Sequence, residues 1–128
     1  MPKKILVVDD DPHIVSLIKT RFEANNYAVI TASDGDECIK KILSDRPDLV
    51  ILDIMMPKVD GYNVLIGIKE IKAITGEIPE IPIIVLTAVG DPRVRELVEK
   101  EQITDYILKP FNAAELLAKV KKALNEER

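Results

Sequence analysis

The chain has little of what redox proteins, metal-thiolate proteins and membrane proteins depend on. Cys38 is the only cysteine among 128 residues, which excludes an internal disulfide bond and any metal site built from several cysteines. His13 is the only histidine, and a lone histidine near the start of a helix is typically a surface residue rather than a metal ligand. No apolar run approaches the roughly 18 residues that a membrane-spanning helix needs.

The net charge of the chain is negative, which narrows the kinds of partner that it is expected to bind. The net charge of −4 at pH 7 speaks against broad binding to a phosphate backbone, and the motifs of nucleic-acid-binding domains are absent. The apolar run at residues 5–8 is too short for a signal peptide. We therefore expect a cytoplasmic domain that contacts neither a membrane nor, directly, nucleic acid.

Strand-like and helix-like periods alternate along the chain. A first helix is expected after Asp11 and Pro12, a plausible N-cap and first-turn proline. A second should begin at Ser33, with Asp36 completing a capping box, and end before Pro47. Later helices are predicted near residues 62–71, 93–101 and 112–125. The intervening apolar runs suit a parallel sheet that is covered on both faces, so we predict one α/β domain of five β-α units over residues 1–128.

Four of the apolar runs end on residues that can bind a phosphate or a cation. Residues 5–8 lead into Asp9 and Asp10, residues 49–52 into Asp53, residues 83–86 into Thr87, and residues 106–108 into Lys109. Ligands of open parallel sheets bind just beyond the carboxyl ends of the strands, so these side chains are expected to meet. Three clustered carboxylates would repel one another, and a hard divalent cation such as Mg²⁺ together with the lysine would offset their charge.

These motifs resemble those of response-regulator receiver domains of two-component phosphorelays, and the resemblance covers residues 4–124. The matching segments are Val7-Val8-Asp9-Asp10, Asp53-Ile54-Met55-Met56-Pro57 with Asp60-Gly61, Leu86-Thr87-Ala88 and Lys109-Pro110-Phe111. The resemblance implies a flavodoxin-like doubly wound (βα)5 fold with a five-stranded parallel sheet in the order 2-1-3-4-5. It also implies a cis peptide bond between Lys109 and Pro110.

The resemblance further implies a metal site and a phosphoacceptor. Asp53 would be the nucleophile, and Mg²⁺, with Mn²⁺ as an alternative, would be the cofactor. The ligands implied are Asp10 directly, Asp9 mainly through water, Asp53, and the backbone carbonyl of Met55.

The resemblance implies that three further residues of this chain respond to phosphate. Lys109 and Thr87 would contact the phosphoryl group, and the ring of Tyr106 would move between exposed and buried positions as Thr87 shifts. The protein would then be a phosphorylation-activated signalling switch. It would catalyse only its own phosphorylation and dephosphorylation, and would not otherwise be an enzyme.

The expected partners follow from the same resemblance. A sensor histidine kinase or a phosphotransfer protein would donate the phosphoryl group, and an effector domain or protein would receive the signal. The face formed by the fourth helix, fifth strand and fifth helix would change on phosphorylation and could form a phosphorylation-dependent homodimer. Candidates for charged contacts on that face are Arg93, Arg95, Asp105 and Lys119.

Two other functions are compatible with parts of the sequence. One is a pseudo-receiver, an interaction module that is never phosphorylated, although every matched site residue is chemically competent. The other is a haloacid-dehalogenase-type phosphatase, because Asp9 and Asp11 form an Asp-x-Asp motif after a strand. His13 stands where that motif has threonine or valine, and no cap insertion is present.

Two residues near the expected phosphorylation site are apolar. Met55 and Val89 occupy positions that, in receiver domains, influence how readily water reaches the acyl phosphate. Hindered access predicts slow autodephosphorylation, which a half-life of only seconds would contradict.

Overall fold

The computed structural model describes residues 2–54, 61–76, 80–88, 91–100 and 103–125. Strands and helices alternate in these segments. The strands are β1 (Lys4–Val8), β2 (Ala28–Ala32), β3 (Leu49–Asp53), β4 (Ile83–Ala88) and β5 (Asp105–Lys109). The helices are α1 (Pro12–Glu23), α2 (Gly35–Asp45), α3 (Gly61–Thr75), α4 (Pro92–Glu99) and α5 (Ala113–Ala123). The predicted succession of β-α units is confirmed.

All the strand pairs are parallel, and the order β2-β1-β3-β4-β5 is the one that the resemblance implied. The register aligns the carboxyl ends of the central strands. Val8 pairs with Leu52, Asp53 with Leu86, and Ala88 with Lys109. Because these pairs lie at the ends of their strands, the residues that follow β1, β3 and β4 share one edge of the sheet.

Both faces of the sheet are buried, which explains the continuous apolar runs. Along β1, Leu6 and Val8 join a core that includes residues of α2, α3 and α4, whereas Ile5 and Val7 join one that includes residues of α1 and α5. Side chains of a strand alternate between its two faces, so a strand covered on both sides must be apolar at every position. Polar residues on β1, β3 and β4 are therefore confined to strand ends.

Aspartate side chains cap the N-termini of α1 and α2. Asp11 caps α1 by accepting a hydrogen bond from the backbone N–H of His13 at 2.9 Å, with Pro12 in the first turn as predicted. The predicted start of α2 was wrong by one residue. Asp34, not Ser33, caps it by accepting from the N–H of Glu37 at 2.9 Å. A carboxylate is a stronger acceptor than a hydroxyl, and the hydroxyl of Ser33 instead donates to the side chain of Glu37 at 3.3 Å.

The peptide bond between Lys109 and Pro110 is cis, in agreement with the resemblance. In the part of the chain that the structure describes, no helix is both long enough and apolar enough to cross a membrane.

Helix α3 contains a glycine whose replacement should stabilise the protein. A Cβ atom at Gly67 would have no neighbour within 4 Å, so alanine fits without a clash. Alanine restricts the unfolded chain and favours helix, so Gly67→Ala should raise the free energy of unfolding by about 0.5–1 kcal/mol. Urea denaturation monitored by circular dichroism measures this, and a lower midpoint at unchanged slope would contradict it.

Candidate functional site

Asp9 is a buried carboxylate at the end of β1 with one oxygen unsatisfied. Its backbone N–H donates to the carbonyl of Ala32 at 3.1 Å, and its Oδ1 accepts from the N–H of Asp11 at 2.9 Å. Oδ2 is buried and has no hydrogen-bond partner among the described residues. A buried carboxylate oxygen without a partner is costly, so this atom marks a place where a proton or a cation is favoured.

The surroundings of Asp9 disfavour its charged form. Burial raises the pKa of Asp9 to about 6, and the nearby carboxylate of Asp53 adds to the increase. The N–H of Asp11 and the ammonium group of Lys109 act in the opposite direction. Asp9 therefore lies close to the charges of both Asp53 and Lys109.

Asp53 and Lys109 form an ion pair at the adjacent strand ends. Lys109 Nζ donates to Asp53 Oδ2 at 2.5 Å, although the two residues are 56 positions apart. The Asp53 side chain is only 2% exposed, whereas that of Lys109 is 28% exposed. Because charge-assisted hydrogen bonds are strong in a dry site, the pair holds a carboxylate in place at the end of β3.

Thr87 is the polar residue of β4 at the same edge. It is buried and pairs in register with Leu108 of β5, next to the pairing of Ala88 with Lys109. Its hydroxyl donates to the carbonyl of Ala88 at 3.4 Å, which is long for an O–H···O hydrogen bond. The hydroxyl is therefore only weakly held by this acceptor.

A pocket of about 450 Å³ lies beside Thr87, between β4, β5 and α4. Tyr106 and Leu108 line it from β5 and are 38% and 41% exposed, respectively. Side chains two residues apart on a strand share a face, so the two residues present an apolar surface next to Thr87. Tyr106 is thus exposed in this structure.

Three of the predicted site residues are in direct proximity, and others are not. Asp9, Asp53 and Lys109 come together, and Thr87 lies at the same edge. Asp10 is half-buried, and no three acidic, histidine or cysteine side chains among the described residues are arranged to hold a metal ion. Met55 lies outside the described residues, as does Val89, so their predicted roles stay predictions.

The charged residues predicted for the partner face are engaged within the chain. Lys119 pairs with Asp105 at 3.2 Å, and Arg95 lies 3.8 Å from Glu99. The guanidinium of Arg93 binds Asp91 and lies over the ring of Tyr62.

Sequence reasoning missed this last contact. One signal for it was present, since Asp91 and Pro92 repeat the Asp11-Pro12 pattern of a helix start. Asp91 accepts from the N–H of Arg93 at 2.9 Å, just as Asp11 accepts from that of His13.

The residues at the strand ends fit a small divalent cation. Mg²⁺ prefers carboxylate oxygens and retains several waters, so it needs few protein ligands. The unsatisfied Oδ2 of Asp9, beside the carboxylate of Asp53, offers such oxygens on adjacent strands. A cation here would remove the cost of the buried oxygen and offset the repulsion between the two carboxylates.

The burial of Asp9 predicts how pH changes the stability of the metal-free protein. The folded-state pKa of about 6 exceeds the ordinary value of 3.8, so stability is greatest below the ordinary value and falls as pH rises through 6. The expected loss is about 2–3 kcal/mol. Urea titrations in EDTA between pH 4.5 and 7.5, values about 1.5 units either side of this pKa, should show the loss for the native protein and not for Asp9→Asn. An equal pH dependence in both proteins would contradict this.

Comparison with known proteins identifies the family. A family model described as the response regulator receiver domain matches residues 5–121. The chain belongs to this family. Receiver domains are signalling modules of two-component response regulators rather than conventional enzymes, and they generally bind Mg²⁺ at an acidic pocket.

Relatives of this receiver domain are longer proteins. The chain is 42% identical over 124 residues to the alkaline phosphatase synthesis transcriptional regulatory protein PhoP of Bacillus subtilis, covering 97% of this chain and 49% of that protein. It is 43% identical over 121 residues to the transcriptional regulatory protein ResD of the same organism, covering 94% and 48%. The chain thus spans about half the length of these relatives.

Solved structures agree with the fold of the receiver domain. The chemotaxis response regulator CheY4 of Vibrio cholerae superimposes with a TM-score of 0.80 at 28% identity, over 95% of this chain and 98% of that one. A CheY-like response regulator receiver domain protein from Methanospirillum hungatei gives a TM-score of 0.82 at 28% identity, over 98% and 96%.

Proposed function

We propose that this receiver domain is a phosphorylation-activated switch in which Asp53 accepts a phosphoryl group. The observation that supports this is the buried carboxylate of Asp53, held by Lys109 at 2.5 Å beside a second buried carboxylate, Asp9. A carboxylate can act as a nucleophile and form an acyl phosphate. The ammonium group of Lys109 holds this carboxylate in place at an edge of the sheet.

The proposed donor is phosphohistidine on a histidine kinase or a phosphotransfer protein. An oxygen of Asp53 forms a bond to phosphorus while the bond between phosphorus and the imidazole nitrogen breaks, and the imidazole leaves and takes up a proton. Negative charge on the transferred oxygens would be stabilised by the ammonium group of Lys109. Mg²⁺, when bound through Asp9, Asp10, Asp53 and the carbonyl of Met55, would neutralise further charge on these oxygens.

The proposed response to phosphate uses the weakly held hydroxyl of Thr87. A hydroxyl has one proton to donate, and a phosphoryl oxygen is a stronger acceptor than a carbonyl 3.4 Å away. Movement of Thr87 toward the phosphate would open space beside Tyr106, which lines the same pocket. The surface formed by α4, β5 and α5 would then change and signal to an effector domain or support a homodimer, in the cytoplasm.

Intact mass after incubation with acetyl phosphate and Mg²⁺ tests the phosphorylation. The native protein should gain the mass of one phosphoryl group, and Asp53→Asn should not. Asp48→Asn is a matched control, because Asp48 precedes β3 and accepts from the N–H of Lys4, at the opposite end of the strands. The absence of any added phosphate from the native protein would instead support a pseudo-receiver.

The phosphatase hypothesis requires Asp9 and Asp11 to act together on a substrate. Asp11 is exposed and caps α1, whereas Asp9 is buried in the site, so the structure gives no support to that pairing. Turnover of a phosphate ester by the purified chain would revive it.

Replacing Thr87 by alanine should leave phosphorylation of Asp53 intact but abolish the response of Tyr106 to it. Thr87→Ala retains Asp53, Lys109 and the acidic residues, so phosphoryl uptake should persist within about threefold of the native rate, with only one hydrogen bond lost. The NMR shift changes of the Tyr106 ring on phosphorylation should disappear. Thr75→Ala, which removes an exposed hydroxyl at the end of α3, is the control. If phosphorylation changes the Tyr106 ring shifts as much in Thr87→Ala as in the native protein, the role of Thr87 is contradicted.

A further inference from the structure

A chain of side-chain contacts connects α3 to the residues around Thr87. Asp91 accepts from Nε of Arg93 at 3.2 Å and from Nη2 at 3.0 Å, in addition to the N–H of Arg93. The Arg93 guanidinium in turn lies 5.6 Å from the centre of the Tyr62 ring. We call Asp91, Arg93 and Tyr62 the clasp. It joins the first turn of α3 to the first turn of α4.

Both ends of the clasp lie next to the site. Tyr62 follows Gly61, whose Cα lies so close to the carbonyl of Asp53 that a Cβ atom there would overlap it. At the other end, the N–H of Asp91 bonds to the carbonyl of Ala88 at 3.4 Å, and Asp91 lines the same pocket as Thr87. The clasp therefore connects the backbone of the phosphoacceptor strand to the residue that follows Thr87.

The Asp91 carboxylate is also a competitor for the Thr87 hydroxyl. The hydrogen bonds from Arg93 hold the pKa of Asp91 below its usual range, and the Thr87 hydroxyl contributes a smaller decrease. The carboxylate is thus ionised, and it lines the same pocket as Thr87. Since a hydroxyl has one proton, Thr87 cannot donate fully to Asp91 and to a phosphoryl oxygen at the same time.

We propose that Asp91 and Arg93 are positioning residues for Thr87, and that the clasp favours the unphosphorylated conformation. This inference rests on the proposed function of Asp53. The planar guanidinium fixes the carboxylate through two side-chain hydrogen bonds, and the Tyr62 ring fixes the guanidinium. Contacts made in only one of two conformations shift the equilibrium toward it, so loss of the clasp should favour the conformation that phosphate selects.

Binding of beryllofluoride, a phosphoryl mimic, measures this equilibrium at saturating Mg²⁺. Its half-saturating concentration is read from the amide NMR signal of Ala88. Arg93→Ala and Asp91→Ser should each lower that concentration by about three- to tenfold. Serine retains a hydroxyl acceptor for the N-cap of α4 but cannot bind the guanidinium in the same way. Because both changes break one unit, the double variant should gain no more than the stronger single variant.

Arg21→Ala is the matched control, because it also removes one arginine from a helix, and Arg21 is exposed on α1, which packs on the other face of the sheet. It should bind beryllofluoride like the native protein. A purely structural role for the clasp would lower the urea midpoint of Arg93→Ala without tightening this binding, and would overturn the proposal. Equal tightening in Arg21→Ala would also overturn it, since charge alone would then explain the effect.

The two proposals fail in different ways. If the native protein binds beryllofluoride and Asp53→Asn does not, but Arg93→Ala and Asp91→Ser are unchanged or weaker, the clasp is wrong and the phosphoacceptor stands. If the native protein does not bind beryllofluoride, the phosphoacceptor and the clasp are both wrong.

Discussion

Replacing Lys109 by methionine should slow phosphorylation by acetyl phosphate by about 10- to 100-fold. The ammonium group contacts Asp53 directly, and Asp9 contributes a second negative charge nearby. Methionine fills a similar volume but leaves this charge without its counter-ion, so transferred oxygens would meet greater repulsion. Formation and hydrolysis of the acyl phosphate develop similar charge, so both rates should fall. Time courses of intact mass at saturating Mg²⁺ give both.

Lys119→Met is a close control for this change. Lys119 also pairs with an aspartate, Asp105 at 3.2 Å, and its side chain is 30% exposed compared with 28% for Lys109. It belongs to α5 and does not contact Asp53. Rates for Lys119→Met should remain within about twofold of the native values, because the pair lies at the opposite end of β5 from Lys109 and its carboxylate is 32% exposed, so it contributes little. Equal rates in Lys109→Met and the native protein would show that Lys109 does not act on the phosphoryl group.

Gly61→Ala should destabilise the protein by about 3 kcal/mol. A Cβ atom at this position would overlap the carbonyl oxygen of Asp53 and lie 2.5 Å from Cα of Ile54. Both obstacles are backbone atoms of the buried edge, so they cannot move aside as a flexible side chain would. Urea denaturation measures the loss of stability. The phosphorylation rate should fall as well, because relief of the overlap displaces Asp53.

Gly67→Ala, in the same helix, controls for the general effect of alanine. The two substitutions have the same effect on the unfolded chain. If Gly61→Ala lowers the free energy of unfolding and Gly67→Ala raises it, the difference is due to the contact that Gly61 makes with β3. If Gly61→Ala were as stable as the native protein, the close approach of α3 to Asp53 would be wrong.

The part of the site that lies on strands could be predicted from the sequence. Each apolar run is short and ends on one polar residue, because a strand that is covered on both faces admits polar side chains only at its ends. Parallel pairing then fixes which ends meet. For this reason Asp53 and Lys109, 56 positions apart, could be placed together before the structure was known.

Features that depend on distances between elements could not be predicted. Gly61 belongs to a segment that matches receiver domains, but only the structure shows that the absence of a side chain there allows close packing against Asp53. The sequence makes Arg93 a candidate for charged contacts on the face formed by α4, β5 and α5, whereas its binding to Asp91 and Tyr62 depends on how α3 and α4 are placed.

The sequence also could not distinguish between two candidate N-caps for α2. Ser33 with Asp36 and Asp34 with Glu37 both match a capping box, and only the backbone conformation at Asp34 distinguishes them. The unsatisfied oxygen of Asp9 could not be predicted either, because the burial that leaves it without a hydrogen-bond partner depends on the whole fold.

Reductive trapping of the acyl phosphate tests the central claim most directly. Borohydride reduces an aspartyl phosphate to homoserine, so peptide mapping after phosphorylation identifies the residue that carried the phosphoryl group. We predict homoserine at position 53, and at no other aspartate of the chain. Homoserine at position 9 or 10, or its absence from a protein that has gained phosphate, would contradict the assignment of Asp53 as the phosphoacceptor.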